Sequence, residues 1–150
     1  MNKYRNLSKK QLLALLASSN LIGEKRDRIL KAEDAVKTVA TVITNWKQEN
    51  FVAVYLDGAN KVIETRLLHL GTLTQSLVHP RELFAPAIEL RSAGVIVAHN
   101  HPAGTPEPSA DDLALTRRLQ EAGKLLGIEF IDHVIITADT HYSFRQSGLI

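Results

Sequence analysis

One stretch of this chain, residues 94–112, constrains its fold and its chemistry more than any other part. It opens with an apolar, mostly β-branched run at residues 95–98, which is typical of a short buried strand. His99 and His101 follow directly, and the two-residue period of an extended chain would point both imidazoles to one side of the sheet. Asp112 comes after a loop that prolines and a glycine keep irregular. Two imidazoles and a carboxylate, with a fourth position open, form the ligand set of a catalytic zinc ion, so the stretch predicts a metal site.

Two helices are predicted in the first third of the chain. Ser8 is a suitable N-cap for a short helix whose leucines lie between residues 12 and 16, and the polar residues from Ser18 onward end it. A second helix is predicted over residues 33–47, where apolar side chains recur every three or four positions and two acids occupy the first turn. We expect its apolar face, including Trp46, to pack on a sheet.

The remaining segments predict an α/β fold in which helices cover a mixed sheet. Proline suits the first turn of a helix, as at Pro80, but Pro86 lies inside the same apolar pattern and should bend or shorten that helix. The predicted elements are a hairpin of strands 51–56 and 61–70, a helix over 80–91, strands 94–98, 128–136 and 142–144, and a helix from the Ser109 cap to Leu126.

The composition narrows the class of protein. None of the 150 residues is a cysteine, which excludes a cysteine-based zinc finger and a thiol nucleophile but leaves a His/carboxylate metal site open. The formal net charge is only +2, although the first 50 residues hold ten Lys/Arg against five Asp/Glu, so contact with nucleic acid has weak support. No signal-peptide core or long apolar span occurs, and we therefore expect a cytoplasmic protein without a membrane partner.

A wider pattern surrounds the two histidines. His99-x-His101-Pro102 is followed by Ser109-x-x-Asp112, with the local wording His-Asn-His-Pro-Ala-Gly and Glu-Pro-Ser-x-x-Asp. This pattern resembles the JAMM (MPN+) metalloprotease motif, and its wording is similar to the RadC-like branch of that family. The resemblance covers about residues 45–150, and it divides the chain into an N-terminal helical segment, residues 1–45, and a JAMM domain, residues 46–150. Further matching segments are Leu56-Asp57, Gly71-Thr72, Val78-His-Pro-Arg-Glu82, Asp132-His133 and Tyr142-Ser143-Phe144.

The resemblance implies a fold, a metal and a catalytic base. The fold would be a three-layer α-β-α domain with a mixed sheet, similar to that of cytidine deaminases. The metal would be a zinc ion held by His99, His101, Asp112 and a water. The family also places a glutamate, as general base and acid, at the entry to the first core strand. Glu49, directly before the predicted strand 51–56, matches that position best.

Several alternatives stay open at the level of single residues. Glu64, Glu82 and Glu89 compete with Glu49 on composition alone, and without the resemblance Glu49 would be a surface carboxylate at a helix end. Ser109 would support the oxyanion in the family, and it is equally a plain helix N-cap.

The side chains around the ligand set raise further expectations. Asp111 adjoins Asp112, but the family spacing selects Asp112. Asn100, between the histidines, must point away from them and could hydrogen-bond a loop. His79, Arg81 and His133 could orient the ligands through hydrogen bonds from behind. Asp132-His133 could equally be a structural pair. All three candidates stay outside the predicted catalytic set.

The expected function is that of a zinc-dependent metallohydrolase of JAMM type acting on a peptide or isopeptide bond in a protein or peptide substrate. The alternative is a DNA-associated RadC-like factor whose metal site is structural or vestigial. A third hypothesis is a module that recognises a protein tail at a sheet edge without cutting it. The first 45 residues do not match the helix-hairpin-helix region of longer RadC-like proteins, so DNA binding is not carried over from them. The substrate and the oligomeric state are not predicted.

Overall fold

The computed structural model describes residues 8–18, 26–74 and 78–150 of the chain. The predicted break between Ser18 and residue 23 falls mostly outside these ranges. The helices are α1 (Lys9–Ser18), α2 (Ala32–Ala40), α3 (Pro80–Glu89) and α4 (Ala110–Leu126). The strands are β1 (Asn50–Leu56), β2 (Val62–Leu70), β3 (Gly94–Asn100), β4 (Glu129–Ile136) and β5 (His141–Ser143).

The five strands form one mixed sheet in the order β2-β1-β3-β4-β5. The predicted hairpin is present as the antiparallel β1–β2 pair, and β1 is also antiparallel to β3. Strands β3 and β4 are parallel, and α4 makes the crossover between them. Because β1 and β3 lie at the centre, every residue of both strands is buried.

Alternation along the central strands divides the core into two layers. The odd-numbered residues of β1, such as Phe51 and Tyr55, pack with residues of α3 and α4, including Leu83 and Leu119. The even-numbered residues of β1 pack instead with α2, whose Val39 is fully buried. Helices therefore cover both faces of the sheet, and the predicted three-layer α-β-α fold with a mixed sheet is confirmed.

Helix α2 packs on the sheet as expected, but the prediction that it continues to residue 47 is wrong. It ends at Ala40, where four consecutive β-branched residues, 41–44, begin and lower the helix propensity. Beyond them the chain turns, and the carbonyl oxygens of Trp46 and Gln48 accept hydrogen bonds from the buried Asn100 side chain. The expectation that Trp46 lies in the core is also wrong, because its side chain is 42% exposed.

The capping predictions are confirmed where the structure describes them. Ser8 Oγ accepts a hydrogen bond from the Gln11 N–H at the start of α1. Helix α3 begins at Pro80 and continues through the buried Pro86 to Glu89, so the expectation that this proline shortens the helix is wrong. Helix α4 ends at Gly127, whose φ of 71° is the left-handed conformation that glycine adopts most easily. No helix within the described ranges combines the length and the apolar character that a membrane crossing requires.

Candidate metal centre

The end of β3 presents two imidazoles to the α4 side of the sheet. His99 continues the odd-numbered series of Val95 and Val97, which pack in the core layer formed with α3 and α4. His101 follows two residues later, and its backbone N–H donates to Ile136 O, which keeps the chain extended beyond the strand. The prediction that both rings point to one side is confirmed, since their Nε2 atoms are 2.9 Å apart.

The first turn of α4 supplies the carboxylate. Ser109 is the N-cap, and its Oγ accepts a hydrogen bond from the Asp112 N–H at 3.0 Å. The Asp112 carboxylate completes the capping box by accepting the Ser109 N–H at 2.8 Å. This arrangement holds Asp112, which is 2% exposed, at the positive end of the helix dipole, where an anion is stabilised.

The three side chains meet with the separations of a metal ligand set. His99 Nε2 lies 3.2 Å from Asp112 Oδ1, and His101 Nε2 lies 3.3 Å from Asp112 Oδ2. Ligands about 2.0–2.1 Å from a tetrahedral zinc ion are roughly 3.3 Å from one another, so these separations are close to that spacing, with each histidine facing a different oxygen of the carboxylate. His99, His101 and Asp112 thus form a group that could hold a metal ion.

The positions of the hydrogen atoms on the imidazoles also support a metal site. His101 Nδ1 lies 2.7 Å from Thr105 O, and because a carbonyl oxygen only accepts, Nδ1 carries the hydrogen. In the neutral form of His101, Nε2 then presents a lone pair beside the Asp112 oxygens and His99 Nε2. Lone pairs that converge within about 3 Å in a site with two buried members repel one another unless a cation lies among them. The donor set therefore fits a metal ion.

Electrostatics at the cluster follow from the same contacts. Burial alone would raise the pKa of Asp112, but the contacts of its carboxylate with the His101 and His99 imidazoles hold this pKa well below its usual range. The hydrogen bond with Asp112 raises the pKa of His101 against the opposing effect of burial. Without metal, the negative charge of Asp112 thus favours a proton on the neighbouring imidazoles. A metal ion at the same position would balance that charge instead.

Glu49 lies on the same face as the two histidines. Phe51 pairs with His99 in the antiparallel register of β1 and β3, so continuing that register by two residues places Glu49 opposite His101. The charge of Glu49 contributes to the raised pKa of His101, which agrees with this placement. Its Oε2 accepts the Leu73 N–H, and this bond orients the carboxylate. Its role as a base stays a prediction.

The competing glutamates lie elsewhere. Glu64 pairs with Arg66 on β2, and Glu82 is an exposed residue of α3 beside Arg81. His79 is the N-cap of α3, with Nδ1 accepting the Arg81 N–H. Neither Arg81 nor His79 has a described contact with His99, His101 or Asp112.

His133 is the residue that the sequence reasoning left out of the site. It lies opposite Val97 in the parallel β3–β4 pair, on the α4 side of the sheet, and is fully buried. Its Nε2 is 2.8 Å from His99 Nδ1, and its Nδ1 is 2.6 Å from Thr116 Oγ1 on α4. Burial lowers the pKa of His133 well below its usual range. The histidine inside the apolar run of β4 was a usable signal, but only the pairing of β3 with β4 shows which ligand it contacts.

The neighbouring Asp132 is a structural residue. Its carboxylate accepts hydrogen bonds from Ser143 Oγ, from the Arg145 N–H and from the His133 N–H. It therefore ties β4 to β5 and to the turn that follows, on the opposite face of the sheet from the candidate metal ligands. The sequence left two interpretations of Asp132-His133 open, a structural pair or a support for the metal ligands. Asp132 fits the structural role, whereas His133, which contacts His99, fits the supporting role.

Comparisons with known proteins place this geometry in context. The family model described as the RadC-like JAB domain matches residues 29–149, and so includes helix α2. A UPF0758 protein of Methanospirillum hungatei is 43% identical over 144 residues, which cover 93% of this chain and 64% of that protein. A UPF0758 protein of Shouchella clausii is 44% identical over 123 residues, or 82% of this chain and 54% of that protein. The chain thus spans about half to two thirds of the length of these curated relatives.

Proposed function

The chain belongs to the RadC-like JAB domain family, and from that premise we propose that it is a zinc-dependent metallohydrolase that cleaves a peptide or isopeptide bond. The observation that carries the proposal is the convergence of His99, His101 and Asp112 at separations of 2.9–3.3 Å, with Glu49 on the same face. A site with only a structural purpose would need neither an adjacent carboxylate nor an open position.

His99, His101 and Asp112 would hold the zinc ion through two neutral imidazoles and one carboxylate. A zinc ion bound by such a set supplies a Lewis acid that lowers the pKa of water from about 15.7 to about 7 and polarises a carbonyl group. The single anionic ligand leaves the site a net positive charge. Both Nδ1 atoms are engaged in hydrogen bonds, which leaves Nε2 of each neutral imidazole for the metal.

Glu49 would move the proton. Its carboxylate is half-buried beside His101, and one oxygen is held by the Leu73 N–H, which leaves the other to accept a proton from water. The same carboxylate would return this proton to the leaving amine, as a general base that becomes a general acid. Because Asp112 is already engaged with Ser109 and both histidines, Glu49 is better placed for this role.

Ser109 would stabilise the oxyanion. Its Oγ accepts from the Asp112 N–H, and within the described ranges its own hydroxyl hydrogen has no acceptor. The residue is exposed, whereas His99 and Asp112 are buried, so the hydroxyl lies on the side from which a substrate can approach. Removing one such donor typically lowers the rate about 10²–10³-fold.

Metal analysis of variants tests the ligand set. We expect His99→Ala and Asp112→Asn to lose the zinc that the purified wild-type protein binds, as measured by mass spectrometry of the metal content. Asp111→Asn is the matched control, because Asp111 lies in the same helical turn and should leave the zinc content unchanged. Full zinc occupancy in the first two variants would refute the site.

Turnover tests the role of Glu49 separately. A library of peptides and isopeptide-linked peptides, incubated with the zinc-loaded protein, should yield new amino termini detectable by mass spectrometry. Glu49→Gln should keep the zinc but yield none, whereas Glu82→Gln, an exposed glutamate of α3, should behave like the wild type. Equal cleavage by Glu49→Gln and wild type would assign the base to another residue.

The DNA-associated alternative has its own test. A protein that neutralises phosphates binds DNA more weakly as the salt concentration rises, with a slope that reports the number of contacts. Titration of labelled DNA at low salt, with and without chelator, separates this function from hydrolysis. Salt-dependent binding that persists without zinc would favour the alternative.

A further inference from the structure

A buried chain of hydrogen bonds connects α4, β4 and β3 behind the metal centre. Thr116 Oγ1 lies 2.7 Å from Asp112 O and 2.6 Å from His133 Nδ1. His133 Nε2 in turn lies 2.8 Å from His99 Nδ1. All four residues are at most 2% exposed, so this series of hydrogen bonds is shielded from solvent along its whole length.

In this series of hydrogen bonds, only one assignment of donors and acceptors is consistent with the chemistry of the groups. Asp112 O is a carbonyl oxygen that carries no hydrogen, so the single hydroxyl hydrogen of Thr116 must lie between the two oxygens. Thr116 Oγ1 is then an acceptor toward His133, and His133 Nδ1 must carry the hydrogen. A neutral His133 has no hydrogen left for Nε2, which therefore accepts from His99 Nδ1.

The surroundings of His133 keep its ring neutral and fixed. Its ring stacks on Phe144 with a centroid separation of 4.7 Å and an interplanar angle of 10°. Phe51 packs against it edge-on, with centroids 6.0 Å apart. Among the described residues, the ring of His133 hydrogen-bonds to Thr116 and His99 but to no carboxylate that could stabilise a charge by direct contact, and a ring flip would require repacking both aromatic neighbours.

We propose that Thr116 and His133 are positioning residues that hold His99 as the Nδ1–H tautomer, so that the lone pair of His99 Nε2 faces His101 and Asp112. The inference rests on the proposed metal site. It adds that Asp112 acts twice, since its carboxylate is a ligand and its backbone carbonyl oxygen sets the order of the hydrogen atoms. Helix α4 therefore positions one ligand, Asp112, and also selects the tautomer of another, His99.

The hydroxyl of Thr116 can be removed without changing the shape of the side chain. Thr116→Val keeps the β-branched shape but leaves His133 Nδ1 without an acceptor in a buried site. The favoured response is the other His133 tautomer, whose Nε2–H would donate to His99 Nδ1 and force the His99 hydrogen onto Nε2, where a metal would bind. Thr116→Ser is the matched control, because it keeps the hydroxyl and loses only a methyl group.

Two measurements test the inference. Competition with a chromophoric chelator should give a zinc affinity about 10–100-fold lower for Thr116→Val than for wild type, and an affinity close to wild type for Thr116→Ser. Nitrogen-15 correlation spectra of the imidazoles, recorded on metal-free protein at neutral pH, should show His99 as Nδ1–H in wild type and Thr116→Ser, and as Nε2–H in Thr116→Val.

Each outcome separates this inference from the proposed function. Unchanged zinc affinity and an unchanged His99 tautomer in Thr116→Val would overturn it. Equal losses of affinity in Thr116→Val and Thr116→Ser would also overturn it, since the methyl group rather than the hydroxyl would then be responsible. A wild-type protein that binds no zinc would refute the proposed function, while the metal-free spectra would still decide the tautomer.

Discussion

Asn100 links the stability of the fold to the position of the predicted base, so Asn100→Ala is an informative perturbation. Its side chain points away from the metal centre, as the alternation of β3 predicted. Oδ1 accepts from Asn50 N at 2.8 Å and from Asn50 Nδ2 at 3.0 Å. Nδ2 donates to Gln48 O at 2.8 Å and to Trp46 O at 3.2 Å. These bonds hold the segment that leads into Glu49.

The expected cost follows from these four contacts. A hydrogen bond typically contributes about 0.5–1.5 kcal/mol, and a buried group left without its partner costs about 1–3 kcal/mol. Asn50 Nδ2 keeps its bonds to Asn45 O and Gln48 O, which limits the loss on that side. We therefore expect Asn100→Ala to lower the free energy of unfolding by roughly 2–5 kcal/mol.

Urea unfolding of metal-free protein gives this free energy without the added contribution of bound zinc. Ile96→Ala is the control, because Ile96 lies on the same strand and the same face as Asn100 and is 2% exposed. Its cavity should cost a similar amount, about 2–5 kcal/mol, without touching the segment before β1.

The two variants should differ at the site. Asn100→Ala should still bind zinc but lose turnover, because Glu49 loses its support while His99 and His101 stay on the opposite face. Ile96→Ala should keep both properties in the folded fraction. A loss of stability below about 0.5 kcal/mol, within the range of an ordinary surface substitution, would refute the reasoning, as would unchanged turnover in Asn100→Ala.

Other predictions concern the fold and its response to pH. Gly123→Ala should cost about 1–3 kcal/mol in urea unfolding, because the added Cβ would meet a backbone oxygen at 2.6 Å, whereas Gly58→Ala, with open space around it, should be nearly neutral. Hydrogen bonds from the backbone N–H groups of its turn, Lys61 first, lower the pKa of Asp57, so its stabilisation is present above about pH 3.9 and is lost as the pH falls through the folded-state pKa. Asp57→Asn should therefore flatten the decline of stability below about pH 4, and an equal decline in both proteins would contradict this. Burial raises the pKa of Tyr55 to about 12, so the stabilising effect of its neutral hydroxyl is complete below about pH 10 and is lost as the pH rises toward 12. Tyr55→Phe should remove this loss from the alkaline unfolding curve. Identical curves for the variant and the wild type would refute it.

Local patterns predicted those parts of the fold that depend on neighbours in the chain. The periods of β1 and β3, the serine cap of α4 and the glycine that ends it each involve residues a few positions apart, and the structure has them where expected. The same local argument failed for α2. Its apolar period continues to Trp46, but the helix ends at Ala40, and beyond it the carbonyl oxygens of Trp46 and Gln48 accept hydrogen bonds from Asn100, more than fifty residues away.

The candidate site divides along the same line. The sequence by itself determined the candidate trio, because His99 lies near the end of one strand, His101 follows two residues later, and Asp112 lies in the first turn of the next helix. Only the tertiary structure decided the rest. The antiparallel register of β1 on β3 brings Glu49 opposite His101, and the parallel pairing of β4 brings His133 behind His99. The physical reason is that periodicity shows which face a side chain takes within its own element, whereas strand pairing and helix packing select the residues that meet across elements.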